Sequence, residues 1–515
     1  MKEVAPHRDT MLTGTAWMAV LVFIGLFLFI ALSRIRYPYA LEWAEGGMLD
    51  HVERILAGGE IYVRPSVDFT TFTYSPLYFY LSAAVCKLLG LSFFPLRLLS
   101  LTAALGCMLV LFLLVHRETG RIRSSLFTVA LFAAGYPVCG YWFDLARVDS
   151  LFLLLLLLGF YYYRFGRNGL SAVFWALAFF TKQTGLVIAI PFVLHALLRS
   201  QIRRHYRFAL IWFVLLTAGL FIGEYLTHGW FWYYLFYLPG LHPLRPEQIP
   251  HFIAGYLLKP FLLALLLAVF FFVAVWRQRD LFWFYLFAAV AMIGGSLIAG
   301  VPFGTYHNVA LPAVAMVSIL FGLGIDRLTT DQDKSEAMRM HPRRPGRSRS
   351  RQARGLALTA FHRNRLWLPL ALPWLVIFQF LILLYNPAAH IPREKDRQAG
   401  DALVERIRTL PGRVFMPSHT YLLRLAGKEG CAHFLALEDA LRSQHDPLGV
   451  DLRGDIAAAL RGGIYSYIIL DEPWFIEDVE AGFIKQQDLF SDPDVFWPLV
   501  GYHTRPRWLY ACQSQ

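Results

Sequence analysis

The sequence predicts a polytopic α-helical membrane protein with a small α/β domain at its C-terminus, and three observations carry that prediction. The 515-residue chain is 57% hydrophobic and only 16% charged, where soluble domains carry about 25% charge. Apolar runs near or above the roughly 18–20 residues that cross a bilayer recur through its first three quarters. From Pro392 onward the pattern changes to mixed charge, with helical and strand signals in alternation.

In order, helices are expected at 12–33, 75–90, 96–115, 126–142, 147–163, 171–198, 208–226, 256–276, 281–299, 307–324 and 366–386, about eleven membrane passes by the length criterion. The first run lacks a small-x-small cleavage site before the charged loop that follows, so it reads as an uncleaved helix. With the N-terminus in the cytoplasm, the basic loops Arg199–Arg207, Trp276–Asp280 and 325–365 fall on the cytoplasmic side, as positive-inside charge requires. The tail then lies outside. The loops His116–Arg123 and Arg164–Arg167 object to this arrangement. A second solution satisfies them: 75–90 does not span, and 171–198 breaks at Lys182-Gln183-Thr184-Gly185. Length favours the first solution and charge the second, and both agree at the chain ends.

The formal charge of +12 sits mostly in these loops. Its expected partners are anionic membrane lipids rather than nucleic acid. Two domains follow: residues 1–386 in the membrane, with outer loops at 34–73 and 227–255, and an extracytoplasmic α/β domain at 387–515. In the tail, Asp401–Thr409 reads as helix, Pro411-Gly412 as a stop and Arg413–Met416 as strand. Asp455–Arg461, Gly462-Gly463 and Tyr465–Leu470 repeat the device. No GxGxxG or P-loop supports nucleotide binding. Of the five cysteines, Cys431 and Cys512 share the tail, where oxidising surroundings would leave a disulfide open to them.

The loop at 34–73 holds the sharpest candidates. Glu42 and Glu45 precede Met48, Leu49, Val52, Ile55 and Leu56, whose spacing predicts a short interfacial helix ended by Gly58-Gly59. Either carboxylate is placed to deprotonate a hydroxyl, or, in the structural alternative, to serve the helix N-terminus. Asp144, Arg147 and Asp149 cluster between two apolar runs, and mutual pairing is their favoured reading. Lys182 interrupts an apolar stretch and needs an anionic partner, either a phosphate or a neighbouring carboxylate. Lys259, Arg245, Tyr306 and His307 sit at outer helix ends and fit anion contacts or ordinary boundary roles, and Tyr74 and Tyr78 fit interfacial anchors. No DxD occurs in the first outer loop and no HxxxH or CxxC appears. No cofactor is expected, with only a divalent metal recruited by Glu42 and Glu45 left open.

The order of these pieces resembles the membrane glycosyltransferases of the GT-C superfamily, in the bacterial branch of aminoarabinose transferases and protein O-mannosyltransferase relatives. The resemblance runs over residues 12–200. An apolar helix and an acidic loop lead to Arg54-Ile55-Leu56-Ala57-Gly58-Gly59-Glu60-Ile61-Tyr62, then Tyr74-Ser75-Pro76-Leu77-Tyr78 and Leu89-Gly90 with Arg97. Arg147-Val148-Asp149 and Leu177-Ala178-Phe179-Phe180-Thr181-Lys182 follow, and Tyr306-His307-Asn308-Val309-Ala310-Leu311-Pro312 resembles a late helix start in the same family. The resemblance implies an inverting transfer of a sugar from a polyprenyl-phosphate donor to a lipid, glycan or protein acceptor, on the outer face of a bacterial inner membrane. An acid on the first outer loop would be the base, and cationic and hydroxyl side chains would hold the leaving phosphate. Relatives often carry an Asp-Glu pair at the head of the amphipathic helix, and here those positions hold Ala44 and Glu45. Glu45 is therefore the first candidate and Glu42 the second. Lys182, Arg147, Lys259 and Arg245 are candidates for the donor phosphate, and Tyr74, Tyr78, Tyr306 and His307 for substrate. The alternative is a transporter or flippase for lipid-linked sugars, which would be expected to show two similar halves. None is evident between 12–200 and 208–386. A member that binds polyprenyl lipid without transferring sugar is a third reading, prompted by Ala44.

Overall fold

A computed structural model describes residues 4–198, 202–302, 304–340, 368–443 and 446–513. Most of the basic loop expected at 325–365, and part of Arg199–Arg207, lie outside the described residues. Helix α1 (Val4–Arg34) is followed by α2 (Glu45–Leu56), α3 (Leu77–Leu89), α4 (Phe93–Thr119), α5 (Ile122–Ala134) and α6 (Asp149–Arg164). The chain continues through α7 (Asn168–Thr181), α8 (Gly185–Leu198), α9 (Ile202–Leu226), α10 (Gln248–Val275), α11 (Arg279–Ala299), α12 (Leu311–Met340) and α13 (Leu368–Leu381). Among the described residues, six helical stretches rather than eleven are by themselves long and apolar enough to cross a membrane. Shorter apolar helices, α3, α5, α7 and α8 among them, complete the bundle. The stretch His307–Thr330 is its enclosed centre, whereas Tyr206–Leu226 leaves most of its side chains outside the packing. A helix apolar all round has no need of a polar face in lipid.

The single pass expected over 171–198 is two helices. Lys182 is extended (φ −151°, ψ 123°) at the end of α7, its ammonium 2.7 Å from Asp149. Gln183 donates to the Thr73 carbonyl at 2.6 Å. Each half is shorter than a bilayer crossing, and the break places a lysine and a glutamine inside the bundle.

The tail repeats its helix, glycine stop and strand as expected, with longer helices: α14 (Glu394–Thr409) leads to β1 (Val414–Phe415), and, beyond α15 (Thr420–Leu425) and α16 (Phe434–Leu441), α17 (Pro447–Arg461) leads to β2 (Tyr467–Leu470). After α18 (Ile476–Gly482) come β3 (Phe483–Asp488) and β4 (Trp508–Cys512), giving sheet order β1-β2-β4-β3. β1 and β2 are parallel, as two helix–strand units require, and β4 runs antiparallel to both neighbours. Cys431 is buried and forms no disulfide, so the pairing with Cys512 left open in the sequence is not made.

Candidate active site

Four buried ion pairs organise the region where the first long loop meets the bundle. Arg34, at the end of α1, grips Asp144 with Nε at 2.8 Å and Nη2 at 2.7 Å, and also donates to Tyr136 and the Tyr141 carbonyl. Arg97 of α4 holds Glu45 at 3.1 and 2.7 Å. Arg147 lies 3.3 Å from Glu42, and Lys182 2.7 Å from Asp149. Asp144, Arg147 and Asp149 therefore do not pair with one another; each reaches a different partner. Unpaired, any of these charges would carry a several-kcal/mol desolvation penalty in this interior.

The two glutamates differ sharply in surroundings. Glu45 is fully enclosed: Oε2 also accepts from Leu41 N at 2.8 Å and Oε1 from Ala146 N at 2.7 Å. Burial alone would raise its pKa, but the Arg97 guanidinium and these amides hold the carboxyl below its ordinary value. Glu42 has one weaker cation partner and faces a cavity. Burial raises it to about 7, with Arg147 pulling down and Glu45 pushing up.

That cavity, about 160 Å³, is lined by Glu42, Trp43, Tyr74, Arg147, Lys182 and Tyr306, with Thr73, His242, Asn308, Asp439 and Arg442 around them. Arg147 Nη2 donates to the Tyr74 hydroxyl at 2.7 Å, while its buried Nε has no hydrogen-bond partner. Asn308 donates to Asp149 at 3.0 Å beside Lys182. The far wall comes from the tail and the second long loop. Asp439 lies 3.2 Å from Arg442 and 3.4 Å from His242, and accepts from Thr73 at 3.4 Å. Burial raises Asp439 to about 6 against Arg442. Burial, with help from Arg442, lowers His242 to about 4, so that contact is not an ion pair near neutrality.

Of the residues singled out in the sequence, Glu42, Arg147, Lys182, Tyr74 and Tyr306 are brought together here. Glu45 is adjacent but walled off. Tyr78 is buried elsewhere, donating to the Leu96 carbonyl at 3.1 Å and bonded to Ser100. His307 packs edge-on to Tyr256, and Lys259 and Arg245 are exposed and do not line the cavity. Asn308, Asp439 and Arg442 escaped the sequence reading. Asn308 stood inside a quoted motif, but the two tail residues carry no local signal.

Helix α2 delivers the glutamates by close packing. A side chain on Gly47 would meet the Phe72 ring at 2.2 Å, and one on Gly46 the Tyr421 ring at 2.6 Å. His51 Nδ1 donates to the Gly47 carbonyl at 2.6 Å, and its Nε2 accepts from Phe72 N at 2.9 Å, which fixes a neutral tautomer. Burial lowers its pKa to about 4. The helix expected to lie along the membrane interface is instead wedged between bundle and tail, where Asp50 accepts from Thr420 of α15.

Comparison with known proteins fits this geometry. Residues 73–224 match the family described as dolichyl-phosphate-mannose-protein mannosyltransferase. ArnT from Cupriavidus metallidurans is similar in structure at TM-score 0.60 and 13% identity, over 96% of this chain and 98% of that one, in its apo state and bound to undecaprenyl phosphate. The oligosaccharyltransferase AglB from Archaeoglobus fulgidus, solved with an inhibitory peptide and a dolichol-phosphate, is similar at TM-score 0.52 and 10% identity, over 87% of this chain and 69% of that one. No curated protein matches by sequence. The chain is thus a multi-pass membrane protein that shares its fold with ArnT over nearly its whole length, with a stretch at residues 73–224 that matches the mannosyltransferase family.

Proposed function

We propose that this protein is a glycosyltransferase of a bacterial inner membrane, moving a sugar from a polyprenyl-phosphate donor to a hydroxyl of a lipid, glycan or protein acceptor on the outer face. The convergence of a carboxylate that lines the cavity, Glu42, with the cations Arg147 and Lys182 around the same cavity carries this reading. The solved relatives that hold undecaprenyl phosphate and dolichol-phosphate support the class of donor. The likeness to ArnT over nearly the whole chain favours transfer over transport.

In this mechanism the acceptor oxygen attacks the anomeric carbon from the face opposite the phosphate, and its proton passes to Glu42. The anomeric C–O bond breaks, its electron pair leaves with the polyprenyl phosphate, and the configuration inverts. Arg147, with its unpartnered Nε, and Lys182, with N–H donors beyond the one facing Asp149, hold the phosphate as charge develops there. Tyr74, Trp43 and Tyr306 offer aromatic faces and hydroxyls to the sugars. Glu45, held by Arg97 and two amides, fixes the loop rather than exchanging protons. Tyr78, His307, Lys259 and Arg245 have no part in this scheme.

The test is binding and turnover in lipid. Undecaprenyl phosphate should bind wild type and lose at least about tenfold in affinity in Arg147→Gln, the scale of one lost charge-assisted contact. A panel of polyprenyl-phosphate sugars should include one that wild type converts to free polyprenyl phosphate. Equal binding by Arg147→Gln, with no donor converted, would sink the proposal.

A further inference from the structure

We infer that the C-terminal domain positions the base: a strap at Leu499–Gly501 holds Glu42 in place, and Gly501 is the residue that makes room for its carboxylate. The inference rests on the reading of Glu42 as base. The strap pairs with the first long loop by backbone, Leu499 N and Val500 N both donating to the Leu41 carbonyl at 2.9 and 3.2 Å, and Glu42 and Val500 forming a parallel bridge. Gly501 follows with φ +80°, and a Cβ there would stand 2.7 Å from Glu42 Cγ and 3.0 Å from its Oε1. The contact is therefore closed to every L side chain on two grounds, backbone strain and collision with Glu42.

The strap cannot easily retreat. Tyr502 stands edge-on to Trp43, its ring centroid 5.6 Å away, and donates to Glu472 at 2.9 Å. Thr504 donates to Asp471 at 2.5 Å, and Asp471 is bonded to His419 at 2.8 Å. On the other side, Phe496 N donates to Asp396 at 2.9 Å. Pressure from residue 501 thus falls on Glu42, whose grip on Arg147 at 3.3 Å is the weakest of the four buried pairs. A base displaced by about 1 Å can lose about a hundredfold in rate. Gly501 is a positioning residue, acting through Glu42.

Gly463 supplies the control: it has the same left-handed backbone (φ +67°) in the same domain, with nothing near its missing Cβ. Gly501→Ala should lower kcat at least about tenfold while KM for the donor stays within about twofold, and should shift the acid limb of the kcat–pH profile. Gly463→Ala should do neither. In a Glu42→Ala background, which removes the colliding Cγ and carboxylate, Gly501→Ala should lower the unfolding midpoint less than it does in wild type. Additive losses, or a Gly501→Ala enzyme that behaves as Gly463→Ala does, would overturn the inference. If Gly501→Ala fails to fold, Glu42→Ala in the same chain removes the collision. Restored folding would support the strap, and continued misfolding would overturn it. Turnover by Glu42→Gln at the wild-type rate would instead refute Glu42 as base, whereas an inactive Glu42→Gln with a silent Gly501→Ala refutes the strap alone.

Discussion

Glu42 and Glu45 share one loop and have been driven in opposite directions by their neighbours. Burial with a single arginine at 3.3 Å leaves Glu42 raised to about 7, while burial beside Arg97 is overcome for Glu45 by the guanidinium and two amides. A base must be unprotonated to act, so turnover should fall about tenfold per pH unit below about 7 and level off above it. A kcat–pH profile flat down to pH 5 would exclude Glu42 as the titrating group. Truncating Glu45 should act on folding instead: Glu45→Ala orphans the buried Arg97 and should cost about 3–5 kcal/mol, read as a lower unfolding midpoint. The sequence placed both acids at the site but ranked Glu45 first. What separates them, Arg97 and Ala146, lies 52 and 101 residues further along the chain, beyond the reach of any local pattern.

At the scale of elements, helix α2 was legible from the spacing of Met48, Leu49 and Val52, all three fully buried. Its setting was not, because the surfaces that enclose it, Phe72 and Tyr421, come from another part of the loop and from the tail. Gly46-Gly47 is what allows that fit. Gly47→Ala should overpack against Phe72 and cost about 1–3 kcal/mol, detectable in thermal unfolding; an unchanged midpoint would mean the ring moves aside freely. The break between α7 and α8 was legible too, since Lys182-Gln183-Thr184-Gly185 interrupts an otherwise apolar run. Length argued against it, because length rules describe helices that cross lipid by themselves and these are packed inside a bundle. The tail's repeated helix, glycine stop and strand appeared as β1 and β2. Strands β3 and β4 did not show in advance: Phe483–Asp488 mixes polar with apolar residues, and Trp508–Cys512 is a short apolar run without alternation.

For the whole molecule, bundle and tail meet over the site and close it jointly. Ala432 N donates to the Val67 carbonyl at 2.8 Å, Tyr39 to Asp401 at 2.5 Å, Ala40 N to Tyr421 at 3.2 Å, and Tyr233 to Asp446 at 2.8 Å. Asp439 and Arg442 of the tail complete the cavity wall that Glu42 and Arg147 begin. A protease cut in the connector near Pro387–His390 should therefore leave the tail bound to the bundle through detergent chromatography. Release of the tail would contradict this joint closure. The measurement that bears most directly on the proposed chemistry is single-turnover release of polyprenyl phosphate from a lipid-linked sugar donor, wild type against Glu42→Gln in the same lipid. Glu42→Gln should bind the donor as wild type does and release polyprenyl phosphate about 10²–10⁴-fold more slowly, the contribution expected of a positioned general base. Release at the wild-type rate from Glu42→Gln would contradict it.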